Sequence, residues 1–511
     1  MRYVYNNMPV FFIALSISLL AWLYGGADGP LIVKVCPWLL LFLLQVLFFF
    51  PQRRDGESLY DARESAWENM RRDPLVWISV SLTLLLSIPF LNNALCPSCD
   101  AAAIAQGAEI GPKVKFLPFC ISLREHFCVF LWIVTALVSA IATRHCLRGR
   151  GKRLLLKILV WNASALAVLG FVQIASSAPG PLWMSVPDNS PGGYFSTWGY
   201  PNMAGCYFVA FFAIAIALWR RAIDEAEAER IALDHSGNVA SSHRMFWKKH
   251  LYLIPAFLFF FAALNTLSRA AFILVMSLFF IFFIHAFLSF THKMQRAKRV
   301  KCMTVTFFVM AVIAVFAVVS IPDKFQAQVD TLNTQTMLTR ITGKDVSHSR
   351  IAIELWRDNT LFGCGGWGYR HLSVAKMTDA DKRALPYAGN ANVHNDYLQF
   401  LVEHGCVGLA LMVLAALCLI VPVFRAWKSL LQLVRFAKTS KLPPKPIVLF
   451  VLPSPVFCLL LSALAVAIHA FMDCPLRTPA ILVLVYTTLA AAPGFLPRKA
   501  RNLGVTAGEG E

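Results

Sequence analysis

Val393-His394-Asn395-Asp396-Tyr397-Leu398-Gln399-Phe400-Leu401-Val402-Glu403-His404-Gly405 runs directly into an apolar block that ends near Phe424, and its reading decides the fold. From Cys406 to Phe424 there is no charged residue. Roughly 20 mainly apolar residues in a helix cross the hydrocarbon core of a bilayer. The segment therefore reads as a membrane span headed by an imidazole, an amide, a carboxylate and a phenol at the membrane boundary.

Working outward, similar blocks recur along the 511 residues, of which 58% are hydrophobic and 15% charged. About twelve are long enough to cross. They lie near 9–24, 31–50, 75–92, 127–143, 154–177, 203–220, 250–265, 269–289, 302–321, 396–424, 447–469 and 475–495. The expected fold is all-α, one polytopic helical domain over 1–511, with a long extracytoplasmic loop at 322–395 carrying short surface helices. The first block is read as a retained helix rather than a signal peptide, because no small-residue cleavage site follows it.

The formal net charge of +19 does not indicate nucleic acid, because the basic residues gather in alternate loops. Arg53, Arg54, Arg71 and Arg72 form one group; Arg144, Arg148, Lys152 and Arg153 another; Arg220, Arg221, Lys248 and Lys249 a third. Further groups are Lys293 to Lys301, Arg425 to Lys445, and Arg498 to Arg501. By the positive-inside rule these loops are cytoplasmic, and an even number of spans puts both termini on that side. Among the 13 cysteines, Cys96 and Cys99 form a Cys-Pro-Ser-Cys pair in an outward loop, where a local disulfide is expected. The charged loop near 51–74 reads as a solvated surface helix. No repeat of fixed period is present.

The outward segments hold the unusual residues. Gly199-Tyr200-Pro201-Asn202 precedes the sixth span, with Asn202 a candidate helix cap and sugar ligand. Asn265-Thr266-Leu267-Ser268-Arg269 joins two spans so tightly that Arg269 must lie at or just below the outer surface, where an arginine needs an anion or lipid headgroups. Ile351, Ala352, Leu355 and Trp356 give one apolar face to a short helix carrying Arg350, expected to lie on the membrane surface. Gly363-Cys364-Gly365-Gly366-Trp367-Gly368 formally fits GxGxxG, but it follows no strand and opens no βαβ unit, so it reads as a glycine turn.

Taken in order, these residues resemble the bacterial O-antigen ligase and O-antigen polymerase superfamily of polytopic membrane glycosyltransferases. The resemblance rests on Pro201-Asn202, Leu267-Ser268-Arg269, and Ser349-Arg350 with Trp356 and the glycine turn. It continues through His394 to Gln399 with Glu403, Gly405 and Gly408, and ends at His469-Ala470-Phe471-Met472-Asp473. It covers about residues 195 to 495. It implies transfer of a glycan from an undecaprenyl diphosphate carrier to a hydroxyl acceptor at the periplasmic face of the cytoplasmic membrane, without metal, cofactor or nucleotide-sugar. The family often has proline before the glycine turn where this chain has Leu361-Phe362, and the loop 371–392 is individual; both differences bear on the acceptor.

The residue chemistry agrees. A diphosphate-linked sugar carries its own leaving group, so the protein must hold the diphosphate, align an acceptor hydroxyl and take its proton. Arg269 and Arg350 suit the first task, because guanidinium is permanently charged and pairs with phosphate oxygens. His394 is the candidate base or orienting group, with a loop-fastening histidine as the plainer alternative. Asn395 or Asp396 is expected to cap the helix, leaving the imidazole free. Asn395, Asp396, Tyr397 and Gln399 are also candidate substrate contacts. His469 and Asp473, four apart, would share a helix face and either orient substrate or form a structural pair. No dense ligand motif accompanies these groups, so no metal is expected.

Three readings remain. A transporter would place its ionisable residues near the bilayer midplane rather than at one face, and a scaffold would tolerate loss of Arg269, Arg350 and His394. Within the enzyme class, the resemblance slightly favours ligation to lipid A-core over polymerisation or transfer to protein, because the long outward loop follows the ninth span and precedes the His394 helix as in the ligases of that superfamily.

Overall fold

The computed structural model describes residues 2–23, 25, 29–94, 114, 116–184, 193–236, 249–291, 344–384, 392–439 and 454–496. These residues form an all-helical bundle whose only extended pairing is an isolated bridge between Phe195 and Trp198. The chain opens with α1 (Arg2–Trp22), α2 (Gly29–Phe49), α3 (Leu59–Arg72) and α4 (Pro74–Ala94). It continues through α5 (Leu123–Ile141, extended by a π turn), α6 (Gly149–Ala175), α7 (Pro201–Ser236), α8 (Leu253–Asn265) and α9 (Arg269–Thr291). Then come α10 (Lys344–Asp358), α11 (Gly368–Leu372), α12 (Asp379–Ala384), α13 (Asp396–Thr439), α14 (Ser454–His469) and α15 (Pro479–Ala491).

Eight of these are long and apolar enough to cross a membrane: α1, α2, α4, α5, α6, α7, α9 and α13. Three shorter apolar helices, Leu253–Asn265, Pro455–His469 and Pro479–Phe495, pack among them. The expected span at 302–321 and the Cys96 and Cys99 pair lie outside the described residues. Helix α7 is the axis of the bundle, with 89% of its apolar window buried. Its Phe208, Phe211 and Phe212 meet Phe259, Phe260 and Phe282 of α8 and α9. Polar side chains bridge helices where lipid offers no partner: Ser139 to Thr487 at 2.9 Å, and Ser462 to the Ala210 carbonyl at 2.9 Å.

The two ends of the bundle differ. At one, α3 starts with a Ser58–Asp61 capping box, and Asp73 is buried against Arg144 and His145, each at 2.8 Å. Arg148 pairs with Glu57 and Arg153 reaches the Gly494 carbonyl, so the basic groups are tied to this end.

At the other end, α13 is interrupted rather than straight. Gly405 adopts φ 66, ψ −174, a conformation open essentially to glycine. The break frees backbone groups, and the segment 360–365 satisfies them. Cys364 and Gly365 N–H donate to the carbonyls of Val402 and Glu403, at 3.0 and 2.8 Å. Cys406 and Val407 N–H donate to those of Thr360 and Leu361. The glycine-rich run is thus a strap laid into the helix break, with Gly363 and Gly365 at φ 70 and 82.

Helix α10 was expected on the membrane surface. Instead Ile351, Ala352 and Leu355 are buried in a small apolar cluster with Val393, Val402, Tyr369 and Phe119, while Trp356 packs at its edge. Its apolar face is covered by protein, because the start of α13 and the strap offer a matching apolar surface.

Candidate functional site

His394 precedes α13 in left-handed backbone, φ 56, a region unusual outside glycine. Asn395 caps the helix, its Oδ1 accepting from Leu398 N–H at 3.0 Å, which leaves the imidazole outside the helix. The His394 side chain is 35% exposed, and its Nδ1 lies 3.3 Å from Asp473 Oδ1. Asp473 is otherwise buried, in the turn between α14 and α15.

Three groups fix that carboxylate. Its Oδ2 accepts from Tyr200 Oη at 3.0 Å and from the Asn202 amide; its Oδ1 accepts from Cys474 N–H at 2.9 Å. Burial alone would raise the Asp473 pKa. The hydrogen bond and charge of His394, the Asn202 amide and His469 outweigh it, and hold the group below its ordinary 3.8. Burial and the adjacent Asp473 raise the Tyr200 phenol, so it stays protonated and donates. With Asp473 ionised, Nδ1 of His394 is placed to donate to it.

Asn202 is therefore not the cap expected from sequence. It lies inside α7, which starts at Pro201, and its amide is spent on Asp473 and on Tyr200 Oη at 3.1 Å. His469 and Asp473 do not pair by side-chain hydrogen bonding either. The Asp473 N–H still bonds the His469 carbonyl at 3.0 Å, but its carboxylate turns to His394, and both ring nitrogens of His469 are buried without a partner.

Asp396 and Gln399, expected to meet substrate, face inward and are fully buried. Asp396 Oδ2 accepts from Leu476 N–H at 2.7 Å, and its own N–H donates to the Ala470 carbonyl at 2.8 Å, joining α13 to the α14–α15 turn. Gln399 accepts from Val393 N–H at 3.1 Å and donates to Glu403 at 3.1 Å. Tyr397 is half-buried, donating to the Ala467 carbonyl at 2.8 Å with its ring 4.4 Å from Phe471.

Arg269 is half-buried at the start of α9, after Leu267 in left-handed backbone and Ser268, whose hydroxyl accepts from Ala271 N–H at 3.3 Å. This corner packs on Gly205 of α7, one turn from Asn202, where an added Cβ would meet Ala271 and Thr266 within 2.8 Å. Arg269 thus opens a helix at the same end of the bundle as His394. Arg350 projects from α10 and pairs with Glu354 and Asp381. Hydrogen bonds from Thr378, with Arg350 beside it, hold Asp381 down at about 2. A diphosphate at Arg350 must exchange with these carboxylates.

Arg477, Arg370, His371 and Glu125 carry no signal in the sequence reading, and Glu403 enters it only within the family resemblance. Glu403 and Arg477 form a buried ion pair at 2.7 Å, and the guanidinium groups of Arg477 and Arg370 lie over the Trp367 ring, each at 3.9 Å. Arg370 and His371 share Glu125 of α5. These contacts lock the strap to the bundle behind His394. His348 was also passed over, although it directly precedes Ser349-Arg350.

His394, Asp473 and Cys474 bring potential metal donors within 4.8 Å of one another. Burial raises the Cys474 thiol and both Asp473 oxygens already accept hydrogen bonds, so a cation here would have to displace the thiol proton and compete with those donors. What the arrangement offers is a carboxylate-oriented imidazole, half open to solvent, with arginines at the same end of a membrane bundle.

Such a site defines a class: a polytopic membrane protein with a histidine–carboxylate pair at one end. Residues 254–413 match the protein-family model described as O-antigen ligase, which supports a relation of this part of the chain to the O-antigen ligase superfamily. The matched region contains Arg269, Arg350 and His394; Asn202, His469 and Asp473 lie outside it. No curated protein matches the chain.

Proposed function

We propose that this chain transfers an oligo- or polysaccharide from an undecaprenyl diphosphate carrier to a hydroxyl acceptor on the periplasmic side of the cytoplasmic membrane, with lipid A-core as the acceptor. The observation that carries the reading is the His394–Asp473 pair at 3.3 Å, one member partly exposed and the other buried.

The acceptor oxygen attacks the anomeric carbon of the carrier-linked sugar, and the bond from that carbon to the diphosphate oxygen breaks. The hydroxyl proton passes to Nε2 of His394, and the resulting imidazolium is stabilised by Asp473 through Nδ1–H. The leaving undecaprenyl diphosphate takes the bonding pair, and Arg269 and Arg350 meet its charge. Arg350 gives up Glu354 for phosphate oxygens as donor binds. The basic loops at the other end of the bundle support a cytoplasmic position there, hence a periplasmic site.

The test is glycan display in a deletion strain complemented with wild type, His394→Ala, Arg269→Ala or Arg350→Ala, each checked for protein in membranes. Unattached polymer accumulating in the variants supports ligation. Single repeats alone would make the chain a polymerase. Unchanged glycan in all three overturns the site.

A further inference from the structure

His348 has no part in the chemistry above, yet its ring centroid lies 6.0 Å from that of His394, edge to face at an interplanar angle of 65°. It is only 2% exposed, so no substrate reaches it. Its Nδ1 lies 2.9 Å from Tyr369 Oη, and the same hydroxyl donates to the His348 carbonyl at 3.3 Å. Tyr369 is fully buried, and burial raises its pKa, so the phenol keeps its proton. Two residues further along α10, Arg350 is tied to Asp381 of α12. This turn of α10 is therefore fastened at two points, by α11 and by α12. His394 instead stands on a left-handed residue with a half-open ring.

We infer that His348 is a positioning residue for His394: its ring walls the imidazole at a fixed angle, keeping Nδ1 on Asp473 and Nε2 turned to the acceptor. Edge-to-face aromatic contacts hold ring planes in this way. Because α10 carries both His348 and Arg350, one helix also sets the base against the diphosphate-binding arginine. The inference rests on His394 being the base of the proposed transfer.

The experiment compares purified full-length wild type with His348→Ala, His348→Leu and His348→Phe in proteoliposomes. Undecaprenyl diphosphate-linked glycan and lipid A-core are supplied, and undecaprenyl diphosphate release is followed. Leucine keeps the volume without the flat ring and stands in if the alanine variant does not fold, as judged by melting in detergent. The expected result is a kcat lower by about 10- to 100-fold for alanine and leucine, with donor KM within about twofold. Phenylalanine, which restores the ring wall while Tyr369 keeps its bond to the backbone carbonyl, recovers most of kcat.

A wild-type kcat in the folded alanine or leucine variant overturns the inference, as does a loss confined to KM, or a phenylalanine variant no better than leucine. His394→Ala run alongside separates the two levels. If it is inactive while His348→Ala is normal, only the inference falls. If His394→Ala is as active as wild type, or wild type transfers nothing, the base reading falls and takes the inference with it.

Discussion

The imidazole of His394 and the carboxylate of Asp473 meet at 3.3 Å although 79 residues separate them in the chain. The contact joins the head of α13 to the turn after α14, and through Tyr200 and Asn202 it also reaches the start of α7. Three parts of the bundle thus converge on one carboxylate, and that carboxylate orients the ring of the proposed base.

Replacing Asp473 with asparagine keeps the shape and most hydrogen bonds but removes the charge that stabilises the imidazolium. Transfer is expected to fall by about 100- to 10,000-fold, in the range seen when an orienting carboxylate is lost from a histidine base. Protein in membranes should stay close to wild type, and donor-dependent release of undecaprenyl diphosphate measures the loss.

The depressed pKa of Asp473 has a consequence for stability against pH. A carboxyl whose folded pKa lies below its unfolded 3.8 adds stability that is present above 3.8 and is lost as pH falls through the lower folded value. The melting advantage of wild type over Asp473→Asn in detergent should therefore hold between pH 7 and about pH 5, shrinking only below the ordinary carboxylate range. An advantage that vanishes by pH 5 would mean that Asp473 is not held ionised.

Glu403 and Arg477 are a buried pair with 0% and 4% of their side chains exposed. Removing one partner strands a charge in the bundle, which costs about 3–5 kcal/mol. Glu403→Ala is expected to lower the melting temperature and the amount of protein in membranes, together with transfer. Glu403→Ala/Arg477→Leu should recover part of the stability, because neither charge is then left buried alone.

Gly405→Ala tests the helix break. An alanine at φ 66, ψ −174 is strained, and its Cβ would sit 2.1 Å from the Leu361 carbonyl oxygen. The substitution should cost about 3 kcal/mol or more and detach the strap, read as new protease cleavage around residues 360–368.

Much of this was legible in the sequence, in proportion to how local each signal is. Apolar block length reports directly on helices, so α1, α2, α4 to α9 and α13 to α15 follow the hydropathy pattern, and the glycine run is recognisable as a turn. The polar residues gathered at one membrane face include His394 and Asp473, which the structure brings together. Partner choice was not legible. The i, i+4 spacing suggested His469 for Asp473, whereas the turn after α14 carries the carboxylate away to His394. Asp396 and Gln399 look like ligands in a polar run, yet helix rotation sends them inward to fasten the α14–α15 turn and Glu403. Nothing in the spacing shows that Gly405 interrupts α13, because the glycine's conformation depends on the strap that fills the gap.

The most direct test of the central claim is the initial rate of acceptor-dependent undecaprenyl diphosphate release by purified wild type and His394→Gln in proteoliposomes, with donor binding measured on both. If His394 is the base, the glutamine variant binds donor as wild type does but transfers about 100- to 10,000-fold more slowly. A glutamine variant that transfers glycan at the wild-type rate would contradict the account.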